Sequence, residues 1–254
     1  MTAALRSWRT APRAWTGVTP PRWWRPGCLP GILLALACAG AGAGTGAPPD
    51  TIAQRSIACT ACHGRDGRAT SAGVYPRIAG KPATYLYNQL LNFREGRRRN
   101  PAMAYMVDPL SNAYLREIAD YFASRDPPYA ASTAVPAAPA VIARGRQLVQ
   151  SGDPTRNVPA CVACHGTALT GRLPAIPGLR GLSRDYLNAQ FGAWKSGTRR
   201  AAAPDCMAAI ATRLTLDDIA AAATWLAAQP PPAQGAAAPH PPDKLPLPCG
   251  SQPE

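Results

Sequence analysis

The chain has 254 residues, with 27 basic and 14 acidic side chains and a formal charge of +13. Without the first 46 residues, which carry five arginines, 22 basic residues stand against 14 acidic ones, a net charge of +8. The 208 residues that remain suit two domains of about a hundred residues each better than one large core. A surface of this charge would attract acidic proteins or an anionic membrane, or would serve only to keep the protein soluble. Because an exported protein rarely meets nucleic acid, nucleic acid is not expected as a partner.

The first 46 residues have the features of a secretory signal peptide. Five arginines precede an apolar run of small residues, "GILLALACAGAGAG" at 31–44, and no acidic residue occurs before Asp50. Ala-x-Ala cleavage sites lie at 37–39 and 41–43, and the apolar run is too short for a comfortable membrane span. We therefore predict a signal peptide at 1–46 and export to the periplasm. An uncleaved anchor, or acylation of Cys38, would instead attach the protein to the membrane.

The second half of the chain repeats the first. The segment "YPRIAGKPATYLYNQLLNFREGRRR" at 75–99 aligns with "IPGLRGLSRDYLNAQFGAWKSGTRR" at 176–200, with an offset of 101. A repeat of about 100 residues is too long for a solenoid unit and predicts two copies of an independent small domain. We place these domains at 47–126 and 141–229. Residues 127–140 form a proline- and alanine-rich linker, and residues 230–254 form a proline-rich tail.

Each copy has helical patterns in the same order. Short helices, at 52–58 and 141–150, lead into the two cysteine motifs. The segment "ATYLYNQLLNFREG" has an apolar stripe and ends at Gly96, while Ser111 and Thr215 are N-caps of the last helix of each copy. No segment shows the sustained alternation of a strand, so we predict an all-α fold of two tandem domains.

The two motifs, "ACTACHG" at 58–64 and "ACVACHG" at 160–166, determine the chemistry. Cys-x-x-Cys-His is the pattern by which a c-type haem is attached: two cysteines form thioethers with the haem vinyl groups, and the adjoining histidine is the proximal iron ligand. The pattern predicts two covalently bound haems c. Its residues here are Cys59, Cys62 and His63 in the first copy, and Cys161, Cys164 and His165 in the second.

Other uses of paired cysteines require neighbours that this sequence lacks. A zinc site needs four ligands gathered together, and no further Cys or His lies near either pair. A thioredoxin-like dithiol occurs in a βαβ setting, which the helical pattern does not provide.

Counting narrows the choice of the sixth iron ligand. The chain has three histidines, so only His240, in the tail, is left after the two motifs, and two bis-histidine haems are excluded. Met103 and Met207 each stand eight residues before the cap of the last helix and are the predicted ligands, a pairing with histidine that raises the reduction potential. Met106 is the alternative ligand in the first copy, although a packing role is the better interpretation.

Two prolines lie where a backbone carbonyl would accept the proximal imidazole N–H. Pro76 follows His63 by thirteen residues and Pro177 follows His165 by twelve. Such an acceptor would fix the orientation of the ring. Ordinary turn prolines explain the two residues equally well.

The paired motifs, together with "PRIAGKPATYLYNQLLNFREGRR", "NPAMAYMVDPLS" and "NVPACVACHG", resemble the cytochrome c4 group of dihaem class I cytochromes c over nearly the whole chain from about Asp50 to Gln229. The resemblance implies two cytochrome c folds that face each other across a pseudo-twofold axis, with His/Met ligation of both irons. It also implies a soluble or membrane-attached shuttle that carries single electrons from a cytochrome bc complex, or from a dehydrogenase, to a terminal oxidase.

Two further functions stay open at this point. Cys206 precedes Met207 directly, and a thiolate on the second iron would fit an enzyme similar to a dihaem thiosulfate dehydrogenase. The favoured alternative for this residue is a disulfide with Cys249 in an oxidising compartment. The second open function is that of a haem subunit in a membrane-bound dehydrogenase or oxidase complex. The sequence hardly distinguishes such a subunit from a free electron shuttle.

Arginine clusters at 97–99 and 199–200 precede the two methionine segments. They would steer docking to an acidic partner, pair with haem propionates, or form solvated surface.

Overall fold

The computed structural model describes residues 49–70, 73–129, 136–232, 237 and 244–252. The predicted signal peptide, residues 130–135 of the predicted linker and His240 lie outside these ranges. All elements described below belong to one unit, Ala47–Glu254. Within the described ranges, no helix is both long and apolar enough to cross a membrane.

The first half contains five α-helices and one turn of 3₁₀-helix. They are α1 (Ile52–Arg55), α2 (Ile57–His63), the 3₁₀ turn Arg65–Gly67, α3 (Ala83–Arg94), α4 (Pro101–Val107) and α5 (Asn112–Ala123). The helix predicted at 52–58 is thus divided at Ser56, which is 1% exposed and leaves the regular helical conformation with φ −86° and ψ 1°. Because of this break, the motif helix α2 begins one residue after Ser56.

The second half repeats this order with small differences. It contains α6 (Pro139–Gln150), the 3₁₀ turn Pro154–Arg156, α7 (Cys161–His165), α8 (Arg184–Lys195), α9 (Cys206–Arg213) and α10 (Leu216–Ala228). Two very short strands, β1 (Gly171–Arg172) and β2 (Ile176–Pro177), pair antiparallel, with Gly171 opposite Pro177. The predicted all-α class is confirmed, and the strand pair only closes the loop between α7 and α8.

Helix ends follow the predicted signals. The hydroxyls of Ser111 and Thr215 accept hydrogen bonds from the third residue of α5 and α10, and Asp218 completes a capping box by accepting from the backbone N–H of Thr215. Gly96 follows the C-cap of α3 with φ +71°, a conformation that glycine adopts without strain. Helix α6 begins at Pro139, within the predicted linker, since proline at the first helical position sacrifices no hydrogen bond.

The first and last helices of the second half cross in close contact. Gly145 of α6 lies against α10, where an added Cβ would be 2.2 Å from the carbonyl oxygen of Ala221. Around this crossing Leu148, Val149 and Leu226 are at most 2% exposed. The smaller first half has Phe122 of α5 as its most buried aromatic side chain, at 1% exposure. In the second half the N-terminal and C-terminal helices therefore form much of the core beside the motif, whereas in the first half α3 and α5 supply most of the buried side chains.

An ion network ties α6 to α10. Arg144 and Arg156 each contact both Asp153 and Asp218, with nitrogen–oxygen distances of 2.7–2.9 Å. Burial raises the pKa of Asp218, but hydrogen bonds from Arg156, Thr215 and Arg144 outweigh it and hold that pKa below its usual range. The network therefore contributes stability while the carboxylate is ionised.

The two halves meet through residues that are equivalent in the repeat. Arg98 and Arg199 face each other in an isolated antiparallel bridge, with further backbone bonds from Arg99 N–H to Thr198 O at 2.8 Å and from Arg200 N–H to Arg97 O at 2.7 Å. Equivalent groups thus exchange contacts, as they do about a twofold axis.

Side chains extend this symmetric contact. The Arg98 guanidinium donates to Gln89 at 2.9 Å and, in the other half, to Gln190 at 2.6 Å and Tyr186 at 3.0 Å. Arg199 donates to Gln190 at 2.8 Å and, across the interface, to Gln89 at 3.2 Å. Arg199 is only 6% exposed. For these two arginines the interpretation as solvated surface is therefore wrong, because both guanidinium groups hydrogen-bond across the interface, while Arg99 and Arg200 of the same clusters are exposed.

The beginning of the predicted linker packs on the first domain. Arg77, which is 2% exposed, donates to the carbonyl oxygens of Pro127 at 2.7 Å and Pro128 at 3.3 Å, and its guanidinium stacks on the ring of Tyr129 at 3.8 Å. Tyr129 in turn lies against Gly181 of the second domain, where no Cβ would fit. These residues therefore form a packed connection between the halves.

Candidate functional site: a double haem cavity

Both Cys-x-x-Cys-His motifs line one mainly apolar cavity of about 650 Å³ that extends through both halves. Helix α2 carries the first motif and helix α7 the second, and each helix ends at its histidine, followed by a glycine with positive φ. A short helix therefore presents two cysteines and a histidine to the cavity from each side of the molecule.

The two histidines have the same environment. His63 is 9% exposed and its Nδ1 lies 3.0 Å from the carbonyl oxygen of Pro76; His165 is 7% exposed and its Nδ1 lies 2.7 Å from the carbonyl oxygen of Pro177. A carbonyl only accepts, so each Nδ1 must carry the proton, and the lone pair is on Nε2. Burial lowers the pKa of both rings, that of His165 to about 4. Each imidazole is thus held neutral, with Nε2 available to a metal.

The four motif cysteines are not joined in disulfides. Cys62 is exposed, while Cys59, Cys161 and Cys164 are half-buried. Burial raises the pKa of Cys59 and raises that of Cys161 to about 12. Burial therefore favours the protonated thiol at these two cysteines.

Met103 and Met207 line the same cavity from helices α4 and α9. Met103 in α4 packs against Phe93, Val107 and Leu115, and Met207 in α9 packs on the core of the second half. Met106 also borders the cavity but is 40% exposed. The methionine helices differ by one residue in register: Met103 is the third residue after its cap and Met207 the second, because the caps Asn100 and Asp205 are 105 residues apart.

The cavity fits a haem group in its polar contacts as well. The indole Nε1–H of Trp194 borders the cavity, is buried, and finds no acceptor among the described residues. Arg98 and Arg199 border the same space, and neither forms an ion pair with a described carboxylate. A buried donor and two cations without anionic partners suit a ligand that brings carboxylates, as haem does with its propionates.

The C-terminal tail closes one side of this cavity. The structure pairs Cys206 with Cys249 in a disulfide, and Gly250 N–H donates to Pro204 O at 2.9 Å. Gln252, 8% exposed, accepts from the backbone N–H of Ala175 at 3.1 Å. With its sulfur in the disulfide, Cys206 offers no thiolate to the second iron, so the thiolate-ligation hypothesis is wrong for this structure.

Sequence reasoning missed several residues of the site. Lys81 is buried between the halves, and Trp194, Gln89 and Gln190 complete the cavity and its interface. The signal was present in the aligned repeat, where the glutamines are equivalent but Lys81 aligns with Leu182 and Trp194 with Phe93. The roles of these equivalent and non-equivalent residues become visible only when the two halves are packed together in the structure.

Comparison with models of protein families finds no match. Among curated proteins, a thiosulfate dehydrogenase electron acceptor of Thiomonas intermedia is 38% identical over 195 residues, which are 76% of this chain and 87% of the relative. A cytochrome c4 of Pseudomonas aeruginosa is 31% identical over 174 residues, which are 68% of this chain and 84% of the relative.

Solved structures agree with these relatives. The reduced cytochrome c4 of Pseudomonas stutzeri superposes with a TM-score of 0.60 at 29% identity and covers 69% of this chain and 95% of that chain. The thiosulfate dehydrogenase TsdBA of Marichromatium purpuratum superposes with a TM-score of 0.60 at 33% identity and covers 71% of this chain. This chain spans only 39% of that longer polypeptide.

The likeness extends over most of the length of the curated relatives and includes both halves of the repeat. The resemblance predicted from the motifs is therefore confirmed. The chain belongs to the cytochrome c4 family, and it is a dihaem c-type cytochrome that transfers electrons on two covalently bound haems.

Proposed function

We propose that this protein accepts electrons from a thiosulfate dehydrogenase in the periplasm and passes them towards a terminal oxidase. The observation that carries the electron-transfer part is the pair of buried imidazoles, each fixed through Nδ1 by a proline carbonyl within one cavity. The donor is proposed because two relatives of this chain, one from Thiomonas intermedia and one from Stutzerimonas stutzeri, are named thiosulfate dehydrogenase electron acceptors.

The axial ligands are part of this proposal. His63 and Met103 would bind the first iron, and His165 and Met207 the second; each haem then supplies a one-electron couple of raised potential. Met103 is preferred to Met106 because it packs on the buried side chains of α3 and α5, whereas Met106 is substantially exposed. Pro76 and Pro177 would orient the histidines.

The proposed donor also has support in the superposition with TsdBA. A part of this fold makes up about two fifths of that polypeptide, which is named a thiosulfate dehydrogenase. This chain matches the relative named an electron acceptor over 87% of its length and the enzyme over only 39%, which favours a role as the electron-accepting partner. A cytochrome bc complex is the competing electron donor, and the stopped-flow experiment below distinguishes it from the dehydrogenase.

Ligation is tested with the exported, haem-loaded protein. Ferric haem with a methionine ligand has a near-infrared magnetic circular dichroism band, and we expect two such haems per chain. Met103→Leu and Met207→Leu should each remove half of the band, and the matched variant Met106→Leu should leave it unchanged. A full band in Met103→Leu together with half of it in Met106→Leu would transfer the ligand role to Met106.

The donor is tested by mixing the oxidised protein with a thiosulfate dehydrogenase and thiosulfate in a stopped-flow instrument. Rapid reduction of both haems, absent without thiosulfate, is the expected result. Reduction by a cytochrome bc complex alone, with none by the dehydrogenase, would contradict the proposed donor while leaving electron transfer intact.

A further inference from the structure

Lys81 is a buried cation that crosses from the first domain to the second. Its side chain is 6% exposed, and its Nζ donates to the carbonyl oxygen of Gly178 at 2.6 Å. Gly178 directly follows Pro177, the carbonyl acceptor of His165 Nδ1. A lysine of the first half therefore reaches the loop that holds the proximal histidine of the second half.

The contact has no symmetric counterpart. Lys81 aligns with Leu182 in the repeat, and Leu182 packs on the apolar core of its own half. Most other contacts of the interface are exchanged in equivalent pairs, as those of Arg98 and Arg199 are. The substitution thus places one additional positive charge beside the second haem site and none beside the first.

No described carboxylate forms an ion pair with Lys81; its hydrogen-bond partner is the neutral carbonyl of Gly178. Buried charges interact over longer distances than charges in water because the effective dielectric constant is about 20 rather than about 80. Two short contacts connect this charge to the histidine: Lys81 Nζ lies 2.6 Å from Gly178 O, and the carbonyl oxygen of Pro177, one residue earlier, lies 2.7 Å from His165 Nδ1. A buried cation at this place opposes positive charge on a metal bound to that ring.

We propose that Lys81 raises the reduction potential of the second haem from across the domain interface. The inference rests on the proposed ligation of that iron by His165. Oxidation of a haem iron adds one positive charge, so a nearby buried cation stabilises the reduced state. Lys81 acts in this way through its charge, while its hydrogen bond to Gly178 fixes the position of the ammonium group.

The test compares two replacements of Lys81 that separate charge from hydrogen bonding. Lys81→Gln removes the charge but retains a donor for the carbonyl of Gly178, and Lys81→Met removes both. Lys244→Gln is the matched control, since Lys244 is exposed and its charge is screened by solvent. Burial and the charge of Arg77 lower the pKa of Lys81 to about 7. The potentials are therefore measured at about pH 6, where the ammonium is mostly protonated.

The measurement is a spectroelectrochemical titration of the haem-loaded protein, with the methyl proton resonances of each ferric haem followed by NMR to assign the two potentials. Resonances are assigned to the second haem through Met207→Leu. Both Lys81 variants should weaken reduction of the second haem by about tenfold, or ~59 mV for a one-electron couple, with little effect on the first haem. Lys244→Gln should change neither potential.

Three results would overturn the inference: the two given next, and potentials that do not move in either Lys81 variant. A shift in Lys81→Met that is absent from Lys81→Gln would assign the effect to packing or hydrogen bonding, and an equal shift of both haems would remove the asymmetry. The near-infrared spectrum separates this failure from failure of the proposed ligation. If both haems retain the methionine band and the potentials do not move, the Lys81 inference alone is wrong; if the band is absent from the unmodified protein, the ligation is wrong.

Discussion

Replacement of Gly145 by alanine tests how the second domain is held together. An alanine Cβ would lie 2.2 Å from the carbonyl oxygen of Ala221 and 2.7 Å from Cβ of Trp225, whereas ordinary contacts lie at 3.4–4 Å. The backbone of α10 cannot turn aside as a flexible side chain can, so α6 and α10 must separate by about 1 Å. Overpacking of this kind costs about 1–3 kcal/mol, and the better helix propensity of alanine returns about 1 kcal/mol.

We therefore expect Gly145→Ala to lower the free energy of unfolding by up to about 2 kcal/mol, or the melting temperature by up to roughly 8 °C for a protein of this size. Thermal and urea unfolding of the haem-loaded protein, followed by far-ultraviolet circular dichroism, measure both quantities. Gly192→Ala in α8 is the matched control because its added Cβ meets nothing within 4 Å, and it should be neutral or stabilising. Equal stability of the two variants would refute the close helix crossing.

Three further predictions concern the network, the tail and the interface. The pKa of Asp218 is lowered on folding. Its contribution to stability is therefore complete above the unfolded pKa of about 3.9 and is lost as the pH falls through the folded pKa. Asp218→Asn should lower stability at pH 7 and reduce the dependence of the urea midpoint on acid pH. The disulfide of Cys206 with Cys249 closes a loop with a sequence separation of 43 residues. The double serine variant should therefore have a free energy of unfolding lower by up to about 4 kcal/mol and faster hydrogen exchange at 244–252. Unchanged values would mean that the tail adds no stability. Arg98→Leu removes the hydrogen bonds to Tyr186 and Gln190 across the interface, at a cost of about 1–3 kcal/mol. Thermal unfolding measured by calorimetry should then split into two transitions, whereas one transition with an unchanged midpoint would contradict the interface.

Local patterns were sufficient for the motifs and for most helix ends. Cysteine spacing and the adjoining histidine are fixed by the covalent geometry of haem attachment, so they are visible without a structure. Ser111 and Gly96 act through hydrogen bonds and backbone conformation within a few residues, and both were predicted correctly. The break at Ser56 was not predicted, because the burial of this serine is a property of the folded chain and is not visible in the local pattern.

The sequence by itself determined the repeat, the haem motifs, the helical class and the family, because each depends on residue type at a fixed spacing. The tertiary structure decided what the polar residues do. Arg98 and Arg199 look like surface charges in the chain and are interface residues in the fold, and Lys81 of one domain serves the histidine loop of the other. Such roles depend on which surfaces become buried when the two halves dock, and burial changes the energy of a charge far more than its neighbours in sequence do.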